Sequence, residues 1–391
     1  MDPAEFGLAP PRPVGDVPEV AQAVRDAIAA AGGRVTFAQF MELCLYHPAR
    51  GYYSSFGPET EEAARAPAAD YVTSVDLHPA FGHLIAREAA RHLDRVAAGG
   101  AGPLDVVELG PGRGLLARDF LQAVAKERPD LHGRLRYTLV EPNVGWAQIQ
   151  RRNLLPEHAG RVRWVRSSGP LLPLRRLRGV VLANEVLDAL PFHLVERGRA
   201  GLEEIYVGAL PGGALVEAAG PVSDPSLARA LERGGVELAP GQRAEVSLMA
   251  EALAHEVAGA VASGAAILVD YGDEAGQLYD PAARPRGTMR CFFRHRLSDN
   301  PLVRLGRQDI TAHVDFTAVS RGLGAGGMEV GRLERQAQFL DRTGLPEFVG
   351  RLEADQARLP REVFVRHRRA FMALSDRQGL GGNLVLVAWK P

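Results

Sequence analysis

The sequence predicts an α/β fold in which a parallel β-sheet is covered by helices. From residue 105 onward, short apolar runs alternate with amphipathic segments, a pattern typical of βαβ units. A glycine-rich turn, GPGRG at residues 110–114, joins the first apolar run to the segment that follows it. The apolar run that begins at Gly179 stops abruptly in an amide and a carboxylate. Ligands of open α/β sheets bind where parallel strands end, so such an ending also indicates a site.

Length and composition narrow the class of protein. The chain has 391 residues, 46% hydrophobic and 24% charged, which is ordinary for a globular protein of roughly two domains. The net charge of −1 disfavours a nucleic-acid partner, and no apolar run reaches the ~18 residues of a membrane span. Two distant cysteines predict neither a disulfide framework nor a metal site, which fits a reducing cytoplasm. The proline-rich residues 1–18 are interpreted as a flexible lead-in.

Helical patterns dominate residues 19–100, which we interpret as a helical N-terminal region. The apolar spacing from Pro18 to Ala31 predicts a helix that ends at two glycines. Thr36 is expected to cap a second helix, which stops before Pro48. A third helix is predicted from Ala80 to Ala98, where a glycine-rich break follows.

Residues 101–190 and 246–391 carry the alternating pattern and are interpreted as one ligand-binding domain. Its predicted strands are DVVEL, RYTLVEP, RVRWVRS, GVVLANE, AAILVDYG and, at a sheet edge or in a hairpin, NLVLVAWK. Residues 191–245 read as short strands with turns, which predicts a β-rich insertion that forms a substrate or dimer region. Residues 273–316 form a long polar segment with little periodicity, and long loops of this kind are usually functional or disordered.

The glycine turn and the acid after the next strand indicate a nucleoside-type ligand. Gly110, Gly112 and Gly114 follow the first strand, and glycines let a backbone approach a ligand closely. Their spacing differs from the G-x-G-x-x-G of dinucleotide sites. Glu141 ends the second strand, where Rossmann-like sheets place an acid on a ribose; a helix cap is the alternative. The chain lacks a phosphate-binding P-loop motif, so we expect S-adenosylmethionine as the ligand.

Six motifs in order resemble those of the MidA-type family of S-adenosylmethionine-dependent methyltransferases. They are FMELCLYHPARGYYSS, DYVTSVDLHPAFGHLIA, ELGPGRG, ANEVLDALPFH, LVDYG and DITAHVDF, and they extend from about residue 35 to the C-terminus. The resemblance implies a Rossmann-like class I methyltransferase sheet with insertions, often a homodimer. That family includes an arginine methyltransferase that assembles mitochondrial complex I. Glu108, Thr73 and Ser74 become candidate cofactor contacts, although Ala69 stands where the family has glycine.

The end of the fourth strand carries the residues that we expect to hold the methyl acceptor. Glu185 and Asp188 stand three residues apart, so they share a face if a helix starts at Leu187. Paired carboxylates can bind a protonated guanidinium through two parallel hydrogen bonds. Asn184 is expected to contact the methionine part of the cofactor or the acceptor. Helix capping is the alternative explanation for these polar residues.

His313 and Asp315 form a second candidate pair in ITAHVDF. The histidine could take the proton that a methylated nitrogen loses, and the aspartate could orient its ring. A structural histidine bonded to a backbone carbonyl is an equal alternative. We expect a protein arginine methyltransferase; the alternatives are a methyltransferase of a small metabolite's oxygen or nitrogen, and a cofactor-binding assembly factor that grips a partner protein.

Overall fold

A computed structural model describes residues 15–55, 73–167, 174–294 and 296–391. Most of the predicted lead-in and the stretch around Ala69 lie outside these ranges. The described strands are β1 (Arg34–Thr36), β2 (Leu104–Leu109), β3 (Leu135–Val140), β4 (Val162–Val165), β5 (Leu177–Asn184), β6 (His193–Arg197), β7 (Leu202–Ala209), β8 (Leu215–Gly220), β9 (Arg243–Val246), β10 (Val261–Asp270), β11 (Gly272–Asp273), β12 (Arg290–Phe293), β13 (Arg296–Ser298), β14 (Asp309–Thr311), β15 (Val314–Asp315), β16 (Glu329–Val330), β17 (Glu334–Arg335) and β18 (Leu384–Lys390).

The α-helices lie between these strands and match the predicted helical segments closely. They are α1 (Pro18–Ala30), α2 (Phe37–Tyr46), α3 (Ser74–Leu77), α4 (Ala80–Ala98), α5 (Leu115–Glu127), α6 (Pro129–His132), α7 (Val144–Asn153), α8 (Ser226–Arg233), α9 (Leu248–Ala260), α10 (Ala275–Leu278), α11 (Phe316–Ala325), α12 (Gln336–Thr343), α13 (Leu345–Ala354) and α14 (Arg361–Ser375). Thr36 caps α2 as predicted, because its hydroxyl accepts the Gln39 N–H while the Gln39 side chain accepts the Thr36 N–H.

The predicted parallel sheet is confirmed as the centre of the fold. Its strands run in the order β4-β3-β2-β5-β10-β18, and the first five are parallel. The last strand, β18, is antiparallel to β10 and is bordered only by the two-residue strands β16 and β17. Leu109 pairs with Val140 and Ala183, so β2, β3 and β5 end side by side. Gly110, Glu141 and Asn184 therefore emerge at one sheet edge.

Helices cover both faces of this sheet, because each face is almost entirely apolar. Helices α4 and α5 lie on one face, where Phe81, Leu84 and Phe120 join a continuous buried cluster. Helices α9 and α11 cover the other face with Val257 and Phe316. Helix α4 was predicted within the N-terminal region, yet it packs against the central sheet.

A second, antiparallel sheet contains the predicted β-rich insertion. Strands β6, β7, β8 and β9 belong to residues 191–245, and β1 from the N-terminal region joins them by pairing with β7. Helices α1 and α2 pack on this sheet through a shared apolar core, in which the Phe37 ring stacks on Phe192 with centroids 5.4 Å apart. The predicted helical region is thus divided between two sheets.

The polar segment 273–316 has more regular structure than its sequence indicates. Strands β12, β13 and β14 form a small antiparallel sheet within it. These strands have three or four residues, which is too short for an alternating pattern to stand out. Cys44 and Cys291 are free, buried thiols, and burial raises the pKa of Cys291 to about 12. Within the described ranges, no helix is long and apolar enough to cross a bilayer.

Phe37→Ala should destabilise the N-terminal segment and the insertion together. The substitution removes a fully buried ring from between α2 and the second sheet. We expect the free energy of unfolding in urea to fall by about 3 to 5 kcal/mol. Phe37→Leu is the matched control and should cost clearly less. Equal midpoints of urea unfolding for the parent and the alanine variant would contradict the packing of Phe37 between α2 and the second sheet.

Candidate active site

The glycine turn that follows β2 adopts a conformation that other residues disfavour. Gly110, Gly112 and Gly114 have φ values of +56°, +48° and +74°, all in the left-handed region. A Cβ at Gly110 would lie 2.9 Å from Val186 Cγ2, and one at Gly114 would lie 3.1 Å from Gln150 Cγ. No atom of the described residues lies within 4 Å of the Cβ position at Gly112. Within this part of the chain, the backbone at Gly112 therefore faces open space, as a close approach by a ligand requires.

Gln150 joins three parts of the site and was missed by the sequence analysis. This side chain is completely buried on α7. Its Nε2 donates to the carbonyl oxygen of Gly112 at 2.8 Å and to Glu141 Oε2 at 3.4 Å. Its Oε1 accepts the indole N–H of Trp164 at 2.8 Å. A glutamine on a polar helix gives no local signal of this role, because all three partners lie on other elements.

Glu141 lies beside a cavity at the carboxyl end of β3. The cavity has a volume of about 340 Å³, and its walls include Glu141, Asn143, Arg151, Trp164 and Arg166. Glu141 Oε1 accepts the backbone N–H of Asn143 at 2.8 Å, but α7 is capped by Asn143 itself, whose Oδ1 accepts the Gly145 N–H at 2.8 Å. Burial raises the pKa of Glu141 to about 7.

Glu108, Thr73 and Ser74 are held by contacts within the protein. Glu108 is buried in β2, and its Oε2 accepts the Tyr137 hydroxyl at 2.7 Å; burial raises the pKa of Glu108 to about 8. Thr73 donates through its backbone and its hydroxyl to Asp76 Oδ2. The Ser74 hydroxyl donates to Gln336 Oε1 at 2.9 Å. A direct cofactor contact by these three side chains stays a prediction.

Glu185 reaches the end of β5 in an unusual backbone conformation. Its φ is +51°, in the left-handed region that costs a non-glycine residue about 1 kcal/mol. The Glu185 N–H donates to the Val269 carbonyl at 2.8 Å and so extends the pairing of β5 with β10. Glu185 Oε1 accepts the Ser74 N–H at 3.3 Å and the Asn184 amide at 3.5 Å. Burial, and next the nearby Asp188, raise the pKa of Glu185 to about 8.

Asp188 lies on a turn, which corrects the expectation of a helix at this position. Residues 185–190 contain no helix, so helix capping does not explain the polar residues after β5. The buried Asp188 accepts the Tyr271 hydroxyl through Oδ2. Oδ1 of Asp188 and Oδ1 of Asn184 are buried and accept no hydrogen bond within the described part of the chain. Burial raises the pKa of Asp188 to about 6, although the Tyr271 hydrogen bond opposes the rise.

A third carboxylate, Asp270, fixes the turn that carries Asp188, and the sequence analysis missed it. Asp270 is fully buried at the end of β10. Its Oδ2 accepts the backbone N–H groups of Val186, Leu187 and Asp188 at 3.1, 2.8 and 3.3 Å. Burial and then the neighbouring carboxylates raise the pKa of Asp270, while these N–H donors oppose the rise. The motif LVDYG therefore fixes the turn within ANEVLDALPFH through the carboxylate of Asp270.

His313 and Asp315 do not form the predicted base and orienting partner. Asp315 caps α11, since its Oδ1 accepts the Ala318 N–H at 3.0 Å. The ring of His313 lies against an arginine, with Nδ1 2.9 Å from Arg284 Nη1. A guanidinium only donates, so Nδ1 accepts, Nε2 carries the proton and the neutral ring has no free lone pair. Burial and the Arg284 charge lower the pKa of His313 to about 4, so this ring is structural.

The residues at this edge fit a methyl donor that carries an adenosine group. Open backbone at Gly112, the cavity beside Glu141 and the unpaired oxygen of Asn184 lie at the ends of three neighbouring strands. Carboxylates and amides of this kind accept hydrogen bonds from ribose hydroxyls and amino groups. The described ranges contain no group of three or more acidic, histidine or cysteine side chains that could hold a metal ion.

Comparisons with known proteins agree with this fit. A family model for S-adenosyl-L-methionine-dependent methyltransferases matches residues 84–332. A protein arginine methyltransferase NDUFAF7 homolog of Drosophila melanogaster mitochondria is 31% identical over 73% of this chain and 66% of its own length, just under two thirds. The Mus musculus mitochondrial protein arginine methyltransferase NDUFAF7 is 28% identical over 90% of this chain and 83% of that protein.

A solved structure extends this similarity to nearly the whole chain. It is a COG1565 superfamily member from Burkholderia thailandensis bound to S-adenosyl-homocysteine. The TM-score is 0.82 and the identity is 31%, over 95% of this chain and 92% of the other. A native crystal structure from the same superfamily and organism is 32% identical with the same TM-score of 0.82.

Gly112→Ala should weaken binding of S-adenosyl-homocysteine. The added methyl group enters the open space above the turn and also strains a residue at φ +48°. We expect the affinity measured by calorimetry to fall by about tenfold or more, which corresponds to about 1.4 kcal/mol. Gly160→Ala is the matched control, because nothing surrounds its Cβ position either. Unchanged affinity in Gly112→Ala would place the ligand elsewhere.

Affinity for S-adenosyl-homocysteine should also depend on pH through Glu141. A ribose hydroxyl donates best to an ionised carboxylate, and the pKa of Glu141 is about 7 in the free protein. Affinity should therefore fall as pH drops, by about tenfold between pH 8 and pH 6. Glu141→Gln should bind weakly with a flat pH profile. If the affinity of the parent protein did not change between pH 8 and pH 6, the contact between Glu141 and the ribose would be rejected.

Proposed function

Because the chain belongs to the S-adenosyl-L-methionine-dependent methyltransferase family whose model it matches, we propose that it methylates an arginine side chain of a protein. The curated relatives support the acceptor, since they are named protein arginine methyltransferases. The carboxyl edge of the central sheet supports it independently. Glu185 and Asp188 lie there beside the cofactor-binding turn, as a pair of acids that a cation would stabilise.

The chain's own residues account for alignment and for exclusion of water. S-adenosylmethionine supplies an electrophilic methyl group on a sulfonium whose C–S electron pair leaves with the sulfur. The protein therefore needs to hold the acceptor nitrogen in line with that group. The end of α2 and the segment after it are bonded to this edge of the sheet, since the Tyr46 hydroxyl donates to the Ala189 carbonyl at 3.0 Å and Asn143 donates to the Tyr53 carbonyl at 3.0 Å.

The observation that carries the arginine assignment is the Oδ1 of the buried Asp188, which has no partner among the described residues, close to a second acid, the half-buried Glu185. Burial and mutual repulsion raise the pKa of Glu185 and burial that of Asp188, so the empty site disfavours charge on both. A guanidinium stays protonated at neutral pH and offers five donors in a plane. Its binding would pair the free oxygen and neutralise the repulsion. A neutral hydroxyl acceptor would leave this excess of acidic groups uncompensated.

Proton balance also requires a group that accepts a proton. An arginine nitrogen that gains a methyl group forms a new N–C bond and must lose one proton. Oδ1 of the buried Asp188 accepts no hydrogen bond within the described ranges, so this carboxylate can take that proton. His313 cannot do so, because its only lone pair already faces Arg284.

We propose in addition a homodimer and a cytoplasmic location. The insertion 191–245 forms an accessible sheet whose hairpin tip exposes half of Leu210, and it is the proposed dimer or substrate surface. Two free cysteines are consistent with a reducing compartment. Light scattering during chromatography would measure the mass, and a monomer at micromolar concentration would reject the dimer.

Glu185→Gln and Asp188→Asn should each lower the rate of methyl transfer at pH 7.5 by about 100-fold or more, because each replaces a carboxyl group that would orient the acceptor. Affinity for S-adenosyl-homocysteine should stay within about threefold of the parent, because the methyl-donor contacts remain. Glu256→Gln is the control, since its partner Arg175 lies in an exposed ion pair. Loss of folding or of cofactor binding along with activity would contradict the acceptor role.

The acceptor itself can be identified with a labelled methyl donor and a cell lysate. The proposed function predicts label in the protein fraction and, after acid hydrolysis, in methylated arginine. Label confined to small molecules would indicate a metabolite methyltransferase and reject the arginine assignment. No label in any fraction, with donor binding intact, would indicate a binding protein in place of an enzyme.

A further inference from the structure

Tyr271 touches the acceptor carboxylates without occupying the place of the acceptor. It directly follows β10, and its hydroxyl donates to Asp188 Oδ2. Its ring packs edge-on against His313, with centroids 5.4 Å apart. Burial and the nearby carboxylates raise the pKa of Tyr271 far above its usual value, so the hydroxyl keeps its proton and stays a donor. The other oxygen of Asp188, Oδ1, accepts no hydrogen bond among the described residues.

The two acceptor acids differ in the hydrogen bonds that would stabilise their charge. Asp188 Oδ2 accepts from the phenol of Tyr271, whose ring is packed against His313. Among the described residues, Glu185 accepts two long bonds, from the Ser74 backbone at 3.3 Å and from Asn184 at 3.5 Å. A strong donor favours the ionised form of the acid that it contacts. A single negative charge shared by this pair therefore resides on Asp188.

The groups around the pair are mainly acidic, which disfavours a second negative charge. Asp270 faces both acids from β10, and Asp76, which is ion-paired with Arg113, faces Glu185 from α3. Tyr46 approaches from α2 and is neutral, because burial and then nearby carboxylates raise its pKa. On the side of β15, the neutral His313 accepts a hydrogen bond from the Arg284 guanidinium. Because no described residue places a cation in direct contact with the pair, one of the two acids keeps its proton.

We propose that Tyr271 is a positioning residue that keeps Asp188 ionised, so that Asp188 binds the cationic acceptor while Glu185 carries the proton of the pair. This inference rests on the proposed function, because it assigns separate roles within the same site. The Tyr271 hydroxyl binds Oδ2 of Asp188 and leaves Oδ1 without a hydrogen-bond partner among the described residues. The protonated Glu185 is neutral, so it does not repel the charged Asp188 as a second carboxylate would.

The ionisation of Asp188 can be measured without any methyl acceptor. Protein labelled with ¹³C at the aspartate carboxyl carbons is titrated by NMR, and Asp188→Asn identifies the Asp188 signal. The parent midpoint should lie near the pKa of about 6. In Tyr271→Phe, which removes only the hydroxyl, the midpoint should rise by about 1 to 2 pH units, the effect expected for one hydrogen bond to a charged group.

Two controls separate this effect from a loss of structure. Tyr206→Phe removes a hydroxyl that donates to the Pro221 carbonyl in the insertion, and it should leave the Asp188 midpoint unchanged. Replacement of all tyrosines by 3-fluorotyrosine makes each phenol a stronger donor and should lower the midpoint; this measurement decides the matter if Tyr271→Phe does not fold.

An Asp188 midpoint that is the same in the parent, in Tyr271→Phe and in fluorotyrosine protein would overturn the proposal. That result leaves the arginine assignment untouched, since the titration contains no acceptor. The converse result is a shifted Asp188 midpoint in Tyr271→Phe together with no methylarginine in the lysate assay. That result would reject arginine as the acceptor and would support the role of Tyr271 toward Asp188. The two hypotheses therefore fail by different measurements.

Discussion

The acceptor side of the cleft depends on hydrogen bonds from one turn of backbone to one buried carboxylate. Asp270 accepts three successive N–H groups after β5 through Oδ2, and it accepts the Tyr271 N–H through Oδ1 at 2.9 Å. These bonds hold Glu185 at φ +51°, which a free chain would avoid. The same carboxylate adds negative potential beside Glu185 and Asp188. One residue thus fixes the geometry of the acceptor site and makes a cation its favoured occupant.

The strands of the central sheet could be predicted from local patterns, because each of their signals is short in range. Apolar runs marked the buried parallel strands, and a glycine turn with positive φ marked the start of α5. Thr36 and Gln39 form a capping box within four residues, so α2 could be placed closely. Glu141 and Asn184 were found for the same reason, since each directly follows or ends a strand.

Long-range contacts explain what the sequence analysis missed. The partners of Asp270 lie more than 80 positions away, and Gln150 bonds to the Gly112 carbonyl 38 positions away. No periodicity records such pairs. The proximity of His313 and Asp315 in the sequence was misleading, because the chain turns between them and directs one to Arg284 and the other to the start of α11. The prediction of a helix after Asn184 was wrong. The backbone N–H groups of this segment bind the distant carboxylate of Asp270 and form a turn, and no local pattern records that contact.

The pairing of β1 with β7 also has a consequence for how the chain is made. Val35 lies opposite Val207, so β1 has no partner strand until about 170 further residues have left the ribosome. At synthesis rates of about 5 to 20 residues per second, this interval is roughly 10 to 30 s. During that time the apolar sides of α1 and α2 have no partner sheet. The newly made N-terminal segment therefore exposes apolar surface until β7 has been synthesised.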